Sequence, residues 1–237
     1  MKICYYLIVE SSFYCIGPYY KGLKGDDDMA AMDQEKLSRM CTAINGAAED
    51  YVNQVKTSAS ELASAFNENW VSNSSKALVA EIVECLNSLA NAITTTFATK
   101  NDNIVNAVRS FNHVENETIL YSGFRFGKPD TSMNINNTLP NNKVGVADGA
   151  DLNSINTPMN TMVQRVNGIL DNIVSTVRSA DALDIEEQTA LTNAVQKIKN
   201  HFDTEMTELE QSLKDRMSNE IMERDALQSK NVSELQG

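Results

Sequence analysis

Apolar residues recur every three or four positions through most of the chain, and this spacing lays out four helices. From about residue 33 to 69 the stripe is Leu37, Cys41, Ile44, Ala48, Tyr51, Val55, Ser58, Leu62 and Phe66. Its alternation of fours and threes makes one narrow seam, the kind that packs helix against helix. A second stripe follows from about 73 to 112: Leu78, Ile82, Leu86, Leu89, Ile93, Phe97, Ile104, Val108 and Phe111. The third predicted helix opens at Thr157-Pro158, a capping residue followed by proline in the first turn. It carries Met159, Met162, Val166, Ile169, Ile173 and Val177 and ends near Ala180. Asp184 with Glu187 has the spacing of a capping box in which Asp replaces Ser or Thr. The fourth helix then carries Leu191, Val195, Ile198, Phe202, Met206, Leu209, Leu213, Met217 and Ile221.

Between the second and third stripes the period is lost. Residues 113–156 include the run NINNTLPNN and glycines at 123, 127, 145 and 149, which is loop chemistry. Within it, Tyr121–Phe126 and Lys143–Ala147 have the pattern to pair as a small β-hairpin. The expected architecture is therefore all-α: two long antiparallel helical hairpins forming an elongated four-helix bundle, joined by an irregular linker. The boundaries are a first hairpin at 29–112, a linker at 113–156, a second hairpin at 157–228 and a charged tail at 229–237 expected to fray. A short turn makes its two helices antiparallel neighbours. Neither hairpin can bury its single apolar face alone, so each needs the other or a further chain.

The first 28 residues stand apart. They hold five of the seven tyrosines and two of the four cysteines. Lys2 and the Ile3–Val9 run loosely imitate a signal peptide, but Glu10 interrupts it and no small-residue cleavage site follows. Lys24-Gly25-Asp26-Asp27-Asp28-Met29 can be encoded AAA GGA GAT GAT GAT ATG, which contains the ribosome-binding string AAGGAG at initiation spacing. We expect residues 1–28 to be leader read through from an upstream start codon, with Met29 or Met32 as the start. The intact mass of the native protein tests this.

Composition narrows the function. The formal net charge is -12, from 32 acidic and 20 basic side chains, and it disfavours nucleic acid and anionic membrane surfaces. No apolar run approaches the ~20 residues needed to span a bilayer, so no membrane span is expected. Beyond the leader, Cys41 and Cys85 both fall on apolar helical positions, the setting of buried free thiols. About the predicted turn they are offset by roughly sixteen residues, or about 24 Å along the helices, which is beyond disulfide reach. His113 opens the linker, and His201 beside Phe202 reads as a helix-surface residue. No His/Cys spacing suits a metal, and no nucleophile–base pairing or phosphate loop is present in the pattern. Asp148, Asp151 and Asn153 fail the spacing of a calcium loop. The expectation is a protein that is not an enzyme and carries no cofactor.

One motif remains, at the turn between the first two helices: Trp70-Val71-Ser72, then Ser74, Ser75 and Leu78. Trp70 is the sole tryptophan. Here the chain resembles the WXG family, the early-secreted-antigen-like helical hairpins exported by type VII secretion systems. The resemblance covers residues 33–112. It implies that Trp70, Val71, Ser72, Ser75 and Leu78 form a turn motif that takes part in recognising a partner or the secretion machinery. Two features depart from the family. Ser72 stands in place of the motif glycine, a substitution that serine's capping ability makes tolerable. The Tyr-x-x-x-Asp/Glu export signal is missing, since Tyr121 is followed at that spacing by Arg125. A partner chain would then carry the signal. At the turn itself, the indole is expected to fill the gap where the helices splay, with its N–H reaching a backbone carbonyl.

The resemblance implies a type VII substrate or partner protein acting through helix–helix contacts. It would be exported without a cleavable signal peptide and cytoplasmic before export, as a monomeric fused bundle or a homodimer. Two other readings fit the same stripes: a structural coiled-coil component of a phage or cell-surface assembly, and a targeting partner of a secreted toxin.

Overall fold

In the computed structural model, residues 33–116 and 118–235 are described; the segment read as leader lies outside them. The elements are α1 (Gln34–Asn69), β1 (Trp70–Val71), α2 (Asn73–Glu115), β2 (Gly145–Val146), α3 (Asn153–Ala180) and α4 (Ile185–Leu235). The fold is all-α, with one two-stranded antiparallel sheet among the described residues.

Local chemistry sets most helix ends. Asp33 caps α1 by accepting hydrogen bonds from the Glu35 and Lys36 amides, each at 3.0 Å. Asp184 accepts from the Glu187 amide at 2.7 Å and starts α4. α3 begins at Asn153, four residues before the Thr157-Pro158 start read from sequence, so Pro158 lies inside the helix. The cause is an earlier nucleus. Asp151 and Ser154 exchange hydrogen bonds, the Ser154 amide to Asp151 Oδ1 at 3.1 Å and the Asp151 amide to Ser154 Oγ at 3.2 Å. As the sixth residue of α3, Pro158 cannot donate to the Ser154 carbonyl and its ring crowds that carbonyl, a local cost near the start of the helix. The buried residue of α3 at this level is Leu170, with Ile169 only partly covered, a one-position rotation from the predicted stripe. α4 remains helical through 229–235, where a frayed tail was expected, although Ser229, Asn231, Val232 and Ser233 are weak helix formers.

The direction of each helix follows from contacts at the two ends. Lys36 at the start of α1 pairs with Asp181 after α3 at 2.8 Å, and Lys100 late in α2 pairs with Glu187 early in α4 at 3.3 Å. Those residues mark the base. At the other end, the apex, Trp70 meets Glu220 of α4. α1 therefore rises, α2 descends, the linker climbs back to the apex, α3 descends and α4 rises. This is a four-helix bundle with one long crossover connection.

The hairpins interlock. The closest backbone approaches run α1 along α3, α2 along α4 and α3 along α4. α1 and α2 are antiparallel, yet they are not the close-packed neighbours that their short turn predicted. The crossover holds them apart, because asparagine side chains from both helices grip it in the groove between them. Asn101 of α2 donates to the Phe124 carbonyl at 2.9 Å and accepts from the Phe124 amide at 2.7 Å. Asn45 of α1 donates to the Gly123 carbonyl at 3.1 Å and accepts from the Arg125 amide at 2.7 Å. Asn67 of α1 does the same for the Asn134 carbonyl and the Asn136 amide, at 2.9 and 2.7 Å. A side-chain amide carries one acceptor and two donors, so each asparagine acts as the peptide group of a missing strand. Phe97 of α2 adds an apolar anchor, stacked on Phe126 with centroids 4.1 Å apart and edge-on to Phe124 at 5.3 Å.

A continuous core fills the space between the helices, including Leu37, Ile44, Tyr51, Leu62, Phe66, Ile82, Leu86, Phe97, Val166, Ile173, Val195 and Phe202. Each fully buried aliphatic or phenyl side chain contributes about 1.5–3 kcal/mol. Cys41 and Cys85 are buried free thiols in this core. Burial pushes the Cys41 thiol up to about 11 and raises Cys85 as well, the latter also through the nearby Glu205 carboxylate. Both are therefore protonated near neutrality. By length and composition, the 73–113 stretch of α2 is apolar enough to cross a membrane. In the bundle its largest apolar side chains, Leu78, Ile82, Leu86, Ile93 and Phe97, are buried.

Candidate functional site: the apical turn

The turn from α1 to α2 is built so that every residue in it has a partner. Asn69 ends α1 and Trp70 flips to extended backbone, φ −154° and ψ 103°, while its amide still donates to the Phe66 carbonyl. Two extended residues, Trp70 and Val71, then pair antiparallel with β2, Trp70 opposite Val146 and Val71 opposite Gly145. The Ala147 amide continues the ladder to the Asn69 carbonyl at 2.8 Å. The sequence reading placed Lys143–Ala147 in a hairpin with Tyr121–Phe126. The first of these segments does supply a strand, but its partner is the apical turn, and 121–126 instead lies against Asn45 and Asn101.

Ser72 closes the turn. Its Oγ accepts from the Ser75 amide at 3.1 Å, and the Ser72 amide donates to Ser75 Oγ at 2.9 Å. This is a reciprocal capping box with serine in the position usually held by Glu or Gln. The Ser72 hydroxyl also donates to Glu220 Oε1 at 2.7 Å. Glycine at this position could make neither side-chain bond. Ser75 is fully buried, and so is Leu78 one turn further on, which lets α2 begin tightly against the turn.

Trp70 is the largest wholly buried side chain. Its ring lies 5.8 Å from Phe66, tilted by 34°. The indole Nε1–H donates to Glu220 Oε2 at 2.8 Å. A backbone carbonyl was the expected acceptor; the partner is a carboxylate on α4, which takes both the indole and the Ser72 hydroxyl, one on each oxygen. A charged acceptor makes stronger bonds than a neutral carbonyl. Further along the same side of α4, Arg224 Nη1 donates to the Ala147 carbonyl at 2.7 Å and Gln228 to Asp148 at 3.0 Å.

The five residues singled out from sequence thus gather in one place: Trp70, Val71, Ser72, Ser75 and Leu78 form a single apical plug. Only Ser72 keeps partial exposure. Pattern reading missed Glu220, Arg224 and the pairing of β2 with the turn, the contacts that cover the plug. The four-residue spacing of Glu220, Arg224 and Gln228 was visible, but it resembles any solvated helix face. The chemistry available here is hydrogen bonding and apolar contact. Among the described residues, no group of three or more His, Cys, Asp or Glu is placed to hold a metal ion. His201 is exposed and lies 3.3 Å from Glu205 on the same helix. One surface depression, about 320 Å3, is an open polar groove lined by Lys56, Ser60, Asn67, Asp130 and neighbours. No protein-family model, curated protein or solved structure matches the chain.

Proposed function

We propose that the chain is a non-enzymatic type VII secretion substrate or partner protein of the WXG kind, working through helix–helix contacts. One observation carries the reading. A Trp70-Val71-Ser72 turn with a reciprocal serine cap stands at the apex of a helical hairpin whose apolar side is covered by a second hairpin in the same chain. In this reading α3 and α4 take the place that a separate partner chain takes in the family's dimers. The apex is the surface that contacts the secretion machinery or a protein partner, and no cofactor or nucleic acid is involved. The protein is made in the cytoplasm and leaves without a cleaved signal.

The test is secretion from cells producing the full-length chain, with and without the secretion ATPase. ATPase-dependent appearance in the culture supernatant is expected, and retention in both strains rejects the reading. Light scattering of the purified chain should give a compact monomer.

A second reading has its own observation. α4 stays helical through 218–235 although none of its described side chains there is buried, as in a rod that awaits neighbours. A structural component of a large assembly would sediment with that assembly and form higher oligomers.

A further inference from the structure

α4 changes character along its length. Up to Met217 its inward side chains are apolar and buried: Leu191, Val195, Phe202, Met206, Leu213 and Met217. From 218 to 231 none is buried, and Met222 and Leu227 are 62% and 63% exposed. Ile221 still packs, partly buried, against the core; beyond that one contact, what this stretch gives the rest of the protein is polar. Glu220 binds Trp70 and Ser72, and Arg224 and Gln228 pin the linker that pairs with the turn. Immediately after the last core residue come Ser218 and Asn219, both exposed and both weak helix formers.

The two halves of α4 are therefore held by different forces. Buried apolar area releases α4 only when the core opens. Hydrogen bonds at a partly wet surface are exchanged for bonds to water, and each holds the closed form by only about two- to tenfold. A segment with few buried apolar contacts opens at lower free energy than the core does. The protein's largest buried side chain sits beneath such a segment.

We infer that residues 218–235 of α4 form a releasable clasp over the apical turn, hinged at Ser218-Asn219. The clasp opens while the bundle up to Met217 stays folded, and opening bares the Trp70–Ser72 face. This rests on the reading of the apex as a recognition surface and adds a control to it. The motif is covered in the resting chain, and a partner gains access by displacing Glu220 and Arg224.

The sole tryptophan reports the clasp directly. In the full-length chain, acrylamide access to Trp70 and hydrogen exchange of the 218–228 amides are measured against denaturant, with far-ultraviolet circular dichroism following the bundle. Both should open below the global transition. Glu220→Leu, which removes two hydrogen bonds, should raise both by roughly tenfold or more at unchanged bundle helicity. The R224A/Q228A double variant should act in the same direction with the indole partner intact. Opening of Trp70 and these amides only in the global transition, in all three proteins, overturns the clasp. Export that is lost on changing Trp70 but unaltered by both clasp variants also overturns its gating role. Export indifferent to Trp70 rejects the recognition surface alone and leaves the opening measurements to stand or fall by themselves.

Discussion

The bundle reverses direction at two short turns, one at the apex between α1 and α2 and one at the base between α3 and α4. Their lengths are similar and their construction is opposite. At the apex Trp70, Val71 and Ser75 are buried, the cap is reciprocal, and backbone, linker and α4 all bond to the turn. At the base Asp181 and Asp184 are exposed, and Asp181 sits in the left-handed region at φ 49°. Asp184 caps α4, and Gln188 reaches back to the Val177 and Arg178 carbonyls at 3.2 and 3.1 Å. Reversing a helical chain needs only what the base has: a cap, a left-handed residue, two partly buried apolar residues (Ala182 and Leu183) and a few returned hydrogen bonds. Whatever the apex has beyond that serves something other than turning.

Substitutions at the two turns sharpen the contrast. Trp70→Ala removes the largest buried side chain and should lower unfolding free energy by about 3–5 kcal/mol in denaturant titration. A loss under ~1 kcal/mol would mean the apex is as loosely made as the base. Ser72→Ala removes the cap and one bond to Glu220, with an expected loss of about 1–2 kcal/mol. Ser72→Gly keeps much of the capping geometry, so it should fall between wild type and alanine. At the base, Asp184→Ala should lose about 1 kcal/mol, the ordinary value of an N-cap. Smallest of all, Asp181→Gly should leave the melting midpoint unmoved, because glycine adopts the left-handed conformation freely and offsets the exposed pairing with Lys36.

Much of this could be read from the residues. The bounds of α1 and the start of α2 were legible because Asp33 and Ser72 are strong caps next to strict stripes. The start of α3 was not, because Thr157-Pro158 imitates a first turn while the real nucleus, Asp151 with Ser154, lies in what reads as linker. The five apical residues were found by motif, but their covering was not. Glu220 lies 150 residues from Trp70 in sequence, and a solvated glutamate and an indole acceptor look the same in one dimension. The asparagine grip was hidden for a related reason. Asn45, Asn67 and Asn101 are single polar positions on amphipathic helices, and only the path of the crossover shows that they face a backbone rather than water.

The interlocked pairing also has a consequence for how the chain is made. α1 and α2 emerge from the ribosome first, yet the helices they pack on most closely, α3 and α4, come last, after the crossover. Proteins whose contacts lie far apart in sequence fold more slowly than those built from local pairs, because the intervening chain must be ordered first. Here an all-helical protein, a class that usually folds fast, has placed its main contacts far apart. Its first half must wait during synthesis with both stripes bare, the condition in which nascent chains are most open to chaperones and to one another.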